Sequence, residues 1–160
     1  MRISFDLDDV LFVSPERYET EPVPRFLPKR IFQERLRKDT PKLIHTLQER
    51  GHEVWIYTSS FRSERYLRAL FRAYGIRFDG IVNATRHNRE VQRDRKDRLP
   101  QKMPNYYRIA LHIDDEKAIH DNAFRYGYRT MRVYEPDEHW VEKVLQEADR
   151  VDHLLQKNPT

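Results

Sequence analysis

Gly51, Gly75 and Gly127 each fall where an amphipathic stretch gives way to a run of β-forming residues. A glycine at such a junction adopts the left-handed conformation that ends a helix, and the run beyond it reads as the next strand. Three such junctions in one chain restrict the fold more than any other feature. Ile3–Leu7 reads as the first strand, followed by Val54–Tyr57, Gly80–Asn83, Ile109–Ile113 and Thr130–Tyr134. Between the first two, Thr40–Arg50 carries Leu43, Ile44 and Leu47 at helical spacing. Thr40 is the expected N-cap there, with Pro41 in the first helical position. Ser63–Tyr74 sets Tyr66, Leu67, Leu70 and Phe71 on one face, and Lys117–Tyr126 sets Ile119, Ala123 and Phe124 inward. Asp137–Leu155 carries Val141, Val144, Leu145, Ala148, Val151 and Leu155 along a final stripe. Strands alternating with helices require right-handed crossovers and a parallel sheet covered on both faces. The expected fold class is α/β, a five-stranded Rossmann-like sheet in a single domain spanning the 160 residues.

Cysteine is absent, which excludes a disulfide framework, thiolate catalysis and cysteine-held zinc. Mean hydropathy is −0.92, and no apolar run approaches the ~20 residues of a membrane helix, so no membrane partner is expected. Met1-Arg2-Ile3-Ser4-Phe5-Asp6 lacks a leader's long apolar region, and the cytoplasm is the expected compartment. Two segments interrupt the rhythm. Phe12–Asp39 contains Pro15, Pro22, Pro24 and Pro28 and reads as a short flap. Thr85–Pro104 reads as a highly charged loop. From Arg86 to Lys102 there are seven basic and three acidic residues, a surplus equal to the +4 of the whole chain. The positive charge is therefore local, a basic rim suited first to a phosphorylated substrate and less to a nucleic-acid groove.

Ligands of open α/β sheets bind beyond the carboxyl ends of the strands. At those ends lie Asp6, Asp8 and Asp9, then Thr58-Ser59-Ser60, then Asp114-Asp115-Glu116. Singly, Asp9 or Asp115 reads equally well as a turn residue, and Thr58-Ser59-Ser60 as a helix cap. Together they place acid–x–acid, hydroxyl and acid–acid at successive strand ends. Converging carboxylates of this kind need a cation, protonation or full solvation, and an all-oxygen set suits Mg²⁺.

Ile3-Ser4-Phe5-Asp6-Leu7-Asp8-Asp9-Val10 resembles the first motif of the haloacid dehalogenase (HAD) superfamily. Trp55-Ile56-Tyr57-Thr58 resembles its second and Ile113-Asp114-Asp115 its fourth. For the third motif, a lysine upstream of the fourth, Lys102 in Gln101-Lys102-Met103-Pro104 is the first choice and Lys96 the alternative. The resemblance implies a Mg²⁺-dependent phosphohydrolase. Asp6 would attack phosphorus and form an aspartyl-phosphate; Asp8 would act as acid and base. Thr58 and Lys102 would bind phosphoryl oxygens. Asp6, the Asp8 backbone carbonyl, Asp114 and Asp115, the last directly or through water, would hold the metal. Members that cleave carbon–halogen bonds lack the second acid, so Asp8 favours phosphate chemistry. The short Phe12–Asp39 segment implies a member without a full cap domain, open to a phosphomonoester on a large molecule. A 5′-nucleotidase acting on free nucleotides is the alternative enzyme. A non-catalytic nucleic-acid- or phosphate-binding domain is the alternative outside enzymes. Phe61-Arg62 and Tyr106-Tyr107-Arg108 read either as base-stacking groups or as packing. The seven histidines show no ligand spacing. His112 reads as a packed ring near the site, and His87-Asn88-Arg89 as a solvated loop or part of the rim.

Overall fold

The computed structural model describes residues 1–133 and 137–158. Five strands, β1 (Arg2–Phe5), β2 (Glu53–Tyr57), β3 (Gly80–Val82), β4 (Leu111–Asp114) and β5 (Thr130–Arg132), form one parallel sheet. Tyr134, expected to end the fifth strand, lies outside the described residues. The strand order is β3-β2-β1-β4-β5. Connections therefore run outward from β1 in both directions, which opens a crevice at the carboxyl ends of β1 and β4. The helices are α1 (Thr40–Glu49), α2 (Glu64–Ala73), α3 (Ala84–His87), α4 (Lys117–Tyr126) and α5 (Trp140–Lys157). No helix among the described residues is long and apolar enough to cross a membrane.

Side chains alternate across a strand, and here that sorts the chemistry of the two faces. Ile3, Phe5, Val54, Ile56, Leu111 and Ile113 join the main core with residues of α1, α2 and α5. Phe5 and Ile113 are wholly inaccessible, and burial of such a side chain contributes about 1.5–3 kcal/mol. Trp55 and Tyr57 point the other way, into a smaller cluster with Val82, Val91, Tyr107 and Ile109. Ser4 and His112, paired across β1 and β4, carry polar groups on that second face.

The three junction glycines have φ of +82°, +72° and +72° at Gly51, Gly75 and Gly127, the conformation their places at helix ends demand. Four expectations change. Thr40 is the first helical residue rather than the cap; Asp39 takes the cap position with φ +66°, and the Thr40 hydroxyl donates to the Arg37 carbonyl (2.7 Å). Phe124 is 97% exposed, because only Ile119 of α4 is fully buried and the helix covers a short outer strand. The charged segment begins as helix α3, capped by the Asn83 side chain on the Arg86 amide (2.9 Å), and continues as a wide turn through Gln92. His87 is buried rather than solvated.

From Phe12 to Asp39 the chain forms turns and isolated bridges, Phe12 with Leu36 and Thr20 with Arg37, and no helix. Leu27 and Leu36 lie in the main core. The segment is thus packed down on the sheet's carboxyl end rather than raised as a separate cap.

Candidate active site

The Asp6 amide donates to the Ile113 carbonyl (2.9 Å), so Asp6 continues the pairing of β1 with β4 by one residue. The chain then folds back. The Leu7 carbonyl accepts from the amides of Val10, Leu11 and Phe12 at 3.2, 2.9 and 2.8 Å. Asp9 takes φ +61° in this turn, a conformation short polar side chains tolerate. Asp6 is left buried and Asp8 exposed.

Lys102 reaches this point from the far end of the charged segment. Its Nζ lies 2.9 Å from Asp6 Oδ1 and 2.5 Å from Asp114 Oδ2, and the residue is 1% exposed. Lys96 is exposed and makes neither contact. The chain is fastened to β2 on both sides of Lys102, through His87 before it and Met103 after it. The Met103 amide donates to the Tyr57 hydroxyl (2.9 Å), which lies 2.6 Å from His87 Nδ1. Burial lowers the His87 pKa, so the ring is neutral at Nδ1 and accepts the phenolic proton.

Asp114 is held on every side. Its Oδ2 also lies 2.8 Å from His112 Nε2, and its Oδ1 accepts from the Glu116 amide (2.9 Å). His112 is wholly buried, and burial lowers its pKa. The neutral ring donates Nε2–H to Asp114, leaving Nδ1 to accept from Ser4 Oγ at 2.7 Å. Burial alone would raise the Asp114 pKa; the His112 hydrogen bond and the Lys102 charge outweigh it and hold the carboxyl well below the usual carboxylate range. Burial pushes Asp6 the other way, up to about 7, with Lys102 opposing and Asp114 adding to the rise. Burial and the neighbouring Asp114 push Asp115 up to about 6. Burial would lower Lys102, but the two carboxylates more than compensate and raise it.

Thr58 follows β2, anchored by its amide on the Val82 carbonyl (2.9 Å). Its Oγ1 donates to Ser60 Oγ and accepts from the Ser60 amide, both at 3.1 Å. Asp8 stands apart from the buried acids. Arg62 grips it with two hydrogen bonds of 3.0 and 2.9 Å, while Arg62 Nε donates to Glu34 (2.9 Å). Glu34 also accepts from the Tyr66 hydroxyl (2.5 Å). The clamp joins the first-strand loop, the Phe12–Asp39 segment and α2.

Among the described residues, Asp6, Asp114 and Asp115 each offer an oxygen within 4.8 Å of the others. The Asp8 carboxylate is not in that group. Three carboxylates near one ammonium leave excess negative charge in a largely buried space; burial is the main reason that Asp6 and Asp115 are raised, and Asp114 adds to it. An all-oxygen set of this size fits a hard divalent cation such as Mg²⁺, which keeps several of its waters.

The sequence singled out Asp6, Asp8, Thr58, Asp114 and Asp115 by their combination at successive strand ends, and Lys102 through the family resemblance. It missed His112 as a partner of Asp114, Arg62 as the partner of Asp8, and the Tyr57–His87 fastening. A polar residue within Leu111-His112-Ile113 was the available signal for the first.

No family model matches the chain, and no curated protein matches it. Solved structures do. A HAD-superfamily hydrolase, subfamily IA, variant 1, from Geobacter sulfurreducens PCA aligns over 91% of this chain and 98% of its own, with TM-score 0.58 and 14% identity. An uncharacterized protein from Listeria monocytogenes serotype 4b aligns over 92% and 98%, with TM-score 0.55 and 15% identity. The Rossmann-like sheet, its strand order and its covering helices therefore give this chain a HAD-like α/β fold.

Proposed function

We propose that the chain is a Mg²⁺-dependent phosphohydrolase that cleaves phosphomonoesters through an aspartyl-phosphate on Asp6. The observation that carries the reading is the Lys102 ammonium bonded to both Asp6 and Asp114, with the Asp115 carboxylate alongside. Asp6, Asp114 and Asp115 would hold the metal, with the Asp8 carbonyl completing the protein's share. The cation's contribution would be to offset phosphoryl charge and to favour the ionised form of Asp6.

In the first step an Asp6 oxygen bonds to phosphorus as the ester P–O bond breaks, and Asp8 gives its proton to the departing oxygen. In the second, water attacks phosphorus, Asp8 takes the water's proton, and the phosphorus–Asp6 bond breaks to release phosphate. Each step moves one bond pair and one proton, so Asp6 and Asp8 return to their starting states. Lys102 and the Thr58 hydroxyl would stabilise charge on the phosphoryl oxygens. Because the Phe12–Asp39 segment lies down on the domain, phosphoryl groups on large molecules are within the substrate range.

One observation favours a second reading. Asp8 is engaged by Arg62 at both oxygens, so the carboxylate must leave this clamp before it can serve a departing oxygen. A phosphate-binding domain without turnover would keep that clamp closed. A phosphate-release screen with Mg²⁺, spanning sugar phosphates, nucleotides, phosphoprotein and phosphorylated nucleic-acid ends, separates the two. Release that needs the metal and disappears in Asp6→Asn is the expected result. Binding without release from any class would sink the enzymatic reading.

A further inference from the structure

Beside the candidate site is a cavity of about 690 Å³ whose lining includes Ser59, Phe61, Arg93, Arg95, Lys96 and Arg98. Ser59 adjoins Thr58, and Gln101, also in the wall, adjoins Lys102. The cavity is therefore continuous in sequence with both groups that flank the proposed phosphoryl position. No carboxylate lines it. The three acids of Arg86–Lys102, Glu90, Asp94 and Asp97, are not in the wall, and among the described residues the four cations make no ion pair.

The segment is built rather than loose. The Gln92 side-chain amide donates to the carbonyls of Arg95 (3.2 Å) and Asp97 (3.0 Å), and its oxygen accepts from the Leu99 amide (2.9 Å). Val91, Leu99 and Met103 pack into the Tyr57–Tyr107 cluster beneath. Arg93 is held at φ +49°, which non-glycine residues rarely adopt. Four like charges along one wall that holds no carboxylate repel one another, and a multivalent anion relieves that repulsion. Guanidinium forks suit phosphate oxygens in particular. Phe61, 71% exposed on the same wall, offers a face on which a planar ring can stack. The volume lies within the range of sites that hold nucleotide-sized ligands, far above that needed for inorganic phosphate.

We propose that this cavity is a second anion subsite, which receives a further phosphate and a stacked base on the leaving-group side of the substrate. The substrate is then a nucleotide-type phosphomonoester carrying at least two phosphates. This rests on the phosphohydrolase reading for the scissile group, whereas the subsite itself is measurable without turnover.

The test is calorimetric binding to the full chain with Asp6→Asn and Mg²⁺ present. The probes are adenosine 5′-monophosphate, adenosine 3′,5′-bisphosphate and a 5′-phosphorylated deoxypentanucleotide. The bisphosphate is expected to bind at least about tenfold tighter than the monophosphate. Adding Arg95→Ser, Lys96→Ser and Arg98→Ser should remove that advantage and lower the salt slope of binding by about one per cation engaged. Lys96→Ser alone, at an exposed position without side-chain bonds, should give part of the loss and guards against misfolding of the triple variant. Phe61→Ala should weaken all probes with a base. A pentanucleotide bound tighter than the bisphosphate supports the subsite with a nucleic-acid end as its source; equal binding supports it with a small bisphosphate. Loss of binding in the variants with no phosphate release from the parent chain supports the subsite and overturns the hydrolase reading. A bisphosphate bound no tighter than the monophosphate, or a triple variant that binds like its parent, overturns the proposal.

Discussion

Replacing Lys102 by methionine keeps the length and bulk of a wholly buried side chain and deletes its charge. The structure gives the consequence. Nζ is 2.9 Å from Asp6 and 2.5 Å from Asp114, so Lys102→Met leaves two buried carboxylates facing each other with no cation between them, Asp114 keeping the His112 ring and the Glu116 amide as neutral donors. Removing one partner of a buried pair typically costs about 3–5 kcal/mol. With a urea slope of about 2 kcal/mol/M, the denaturation midpoint should fall by about 2 M. The assay is urea unfolding followed by circular dichroism, in chelator, near pH 8 and again near pH 5. At the lower pH, Asp6, with its pKa up at about 7, is already neutral in the parent, so the variant's deficit should shrink. Mg²⁺ should restore part of the loss at the higher pH, about 2.7 kcal/mol where its concentration is a hundred times its Kd. A midpoint within about 0.3 M of the parent in chelator near pH 8 would refute the assignment of Lys102 as the charge that balances the site. An equal deficit at both pH values would show that lost packing, and not charge, is responsible.

Other consequences can be checked in the same way. The unfolded Asp6 carboxyl loses its proton near 3.8 and the folded one near 7, so the stability this group contributes is fully present below the lower value and is lost as pH rises through the higher. Urea midpoints of the metal-free chain should therefore fall across that window, and Asp6→Asn should flatten the fall. His112→Phe removes the donor from Asp114 and strands the Ser4 hydroxyl. A loss of about 1–3 kcal/mol in urea unfolding is expected, against a gain if the ring were only packing. A methyl group at Gly80 would meet the Trp55 ring at 2.3–2.5 Å. Gly80→Ala should thus lower the thermal midpoint by the equivalent of about 1–3 kcal/mol, and an unchanged midpoint would show that the indole moves aside freely.

The sheet was legible because each strand is bounded by signals that act locally. Gly51, Gly75 and Gly127 end helices whatever surrounds them, and Asp6 and Asp114 directly follow apolar runs. The misread features depend on partners distant in sequence. His112 is polar inside an apolar strand, and its meaning comes from Ser4 across the sheet and from Asp114 beyond it. Arg62 becomes a clamp only when Asp8 and Glu34, from two other segments, meet it. Phe124 satisfied a helical period, yet α4 lies over an outer strand too short to cover both sides of its apolar stripe. The short helix α3 had a readable cap in Asn83, but the charge density beyond it resembled a loop.

The central position of β1 has a consequence for how the molecule assembles. One of its edges is filled by β2, which follows after a single helix, but the other waits for β4. Until that strand arrives, β1 exposes an unpaired edge ending in Asp6, and the lysine that neutralises Asp6 has not been placed. Pairing β1 with β4 closes the longest loop in the sheet, an entropically slow event. The step that completes the hydrogen-bonded sheet is also the step that brings Lys102 and Asp114 to Asp6. A half-assembled chain therefore carries both a sticky edge and an unbalanced acid, and it acquires its chemistry and its protection from aggregation in the same closure.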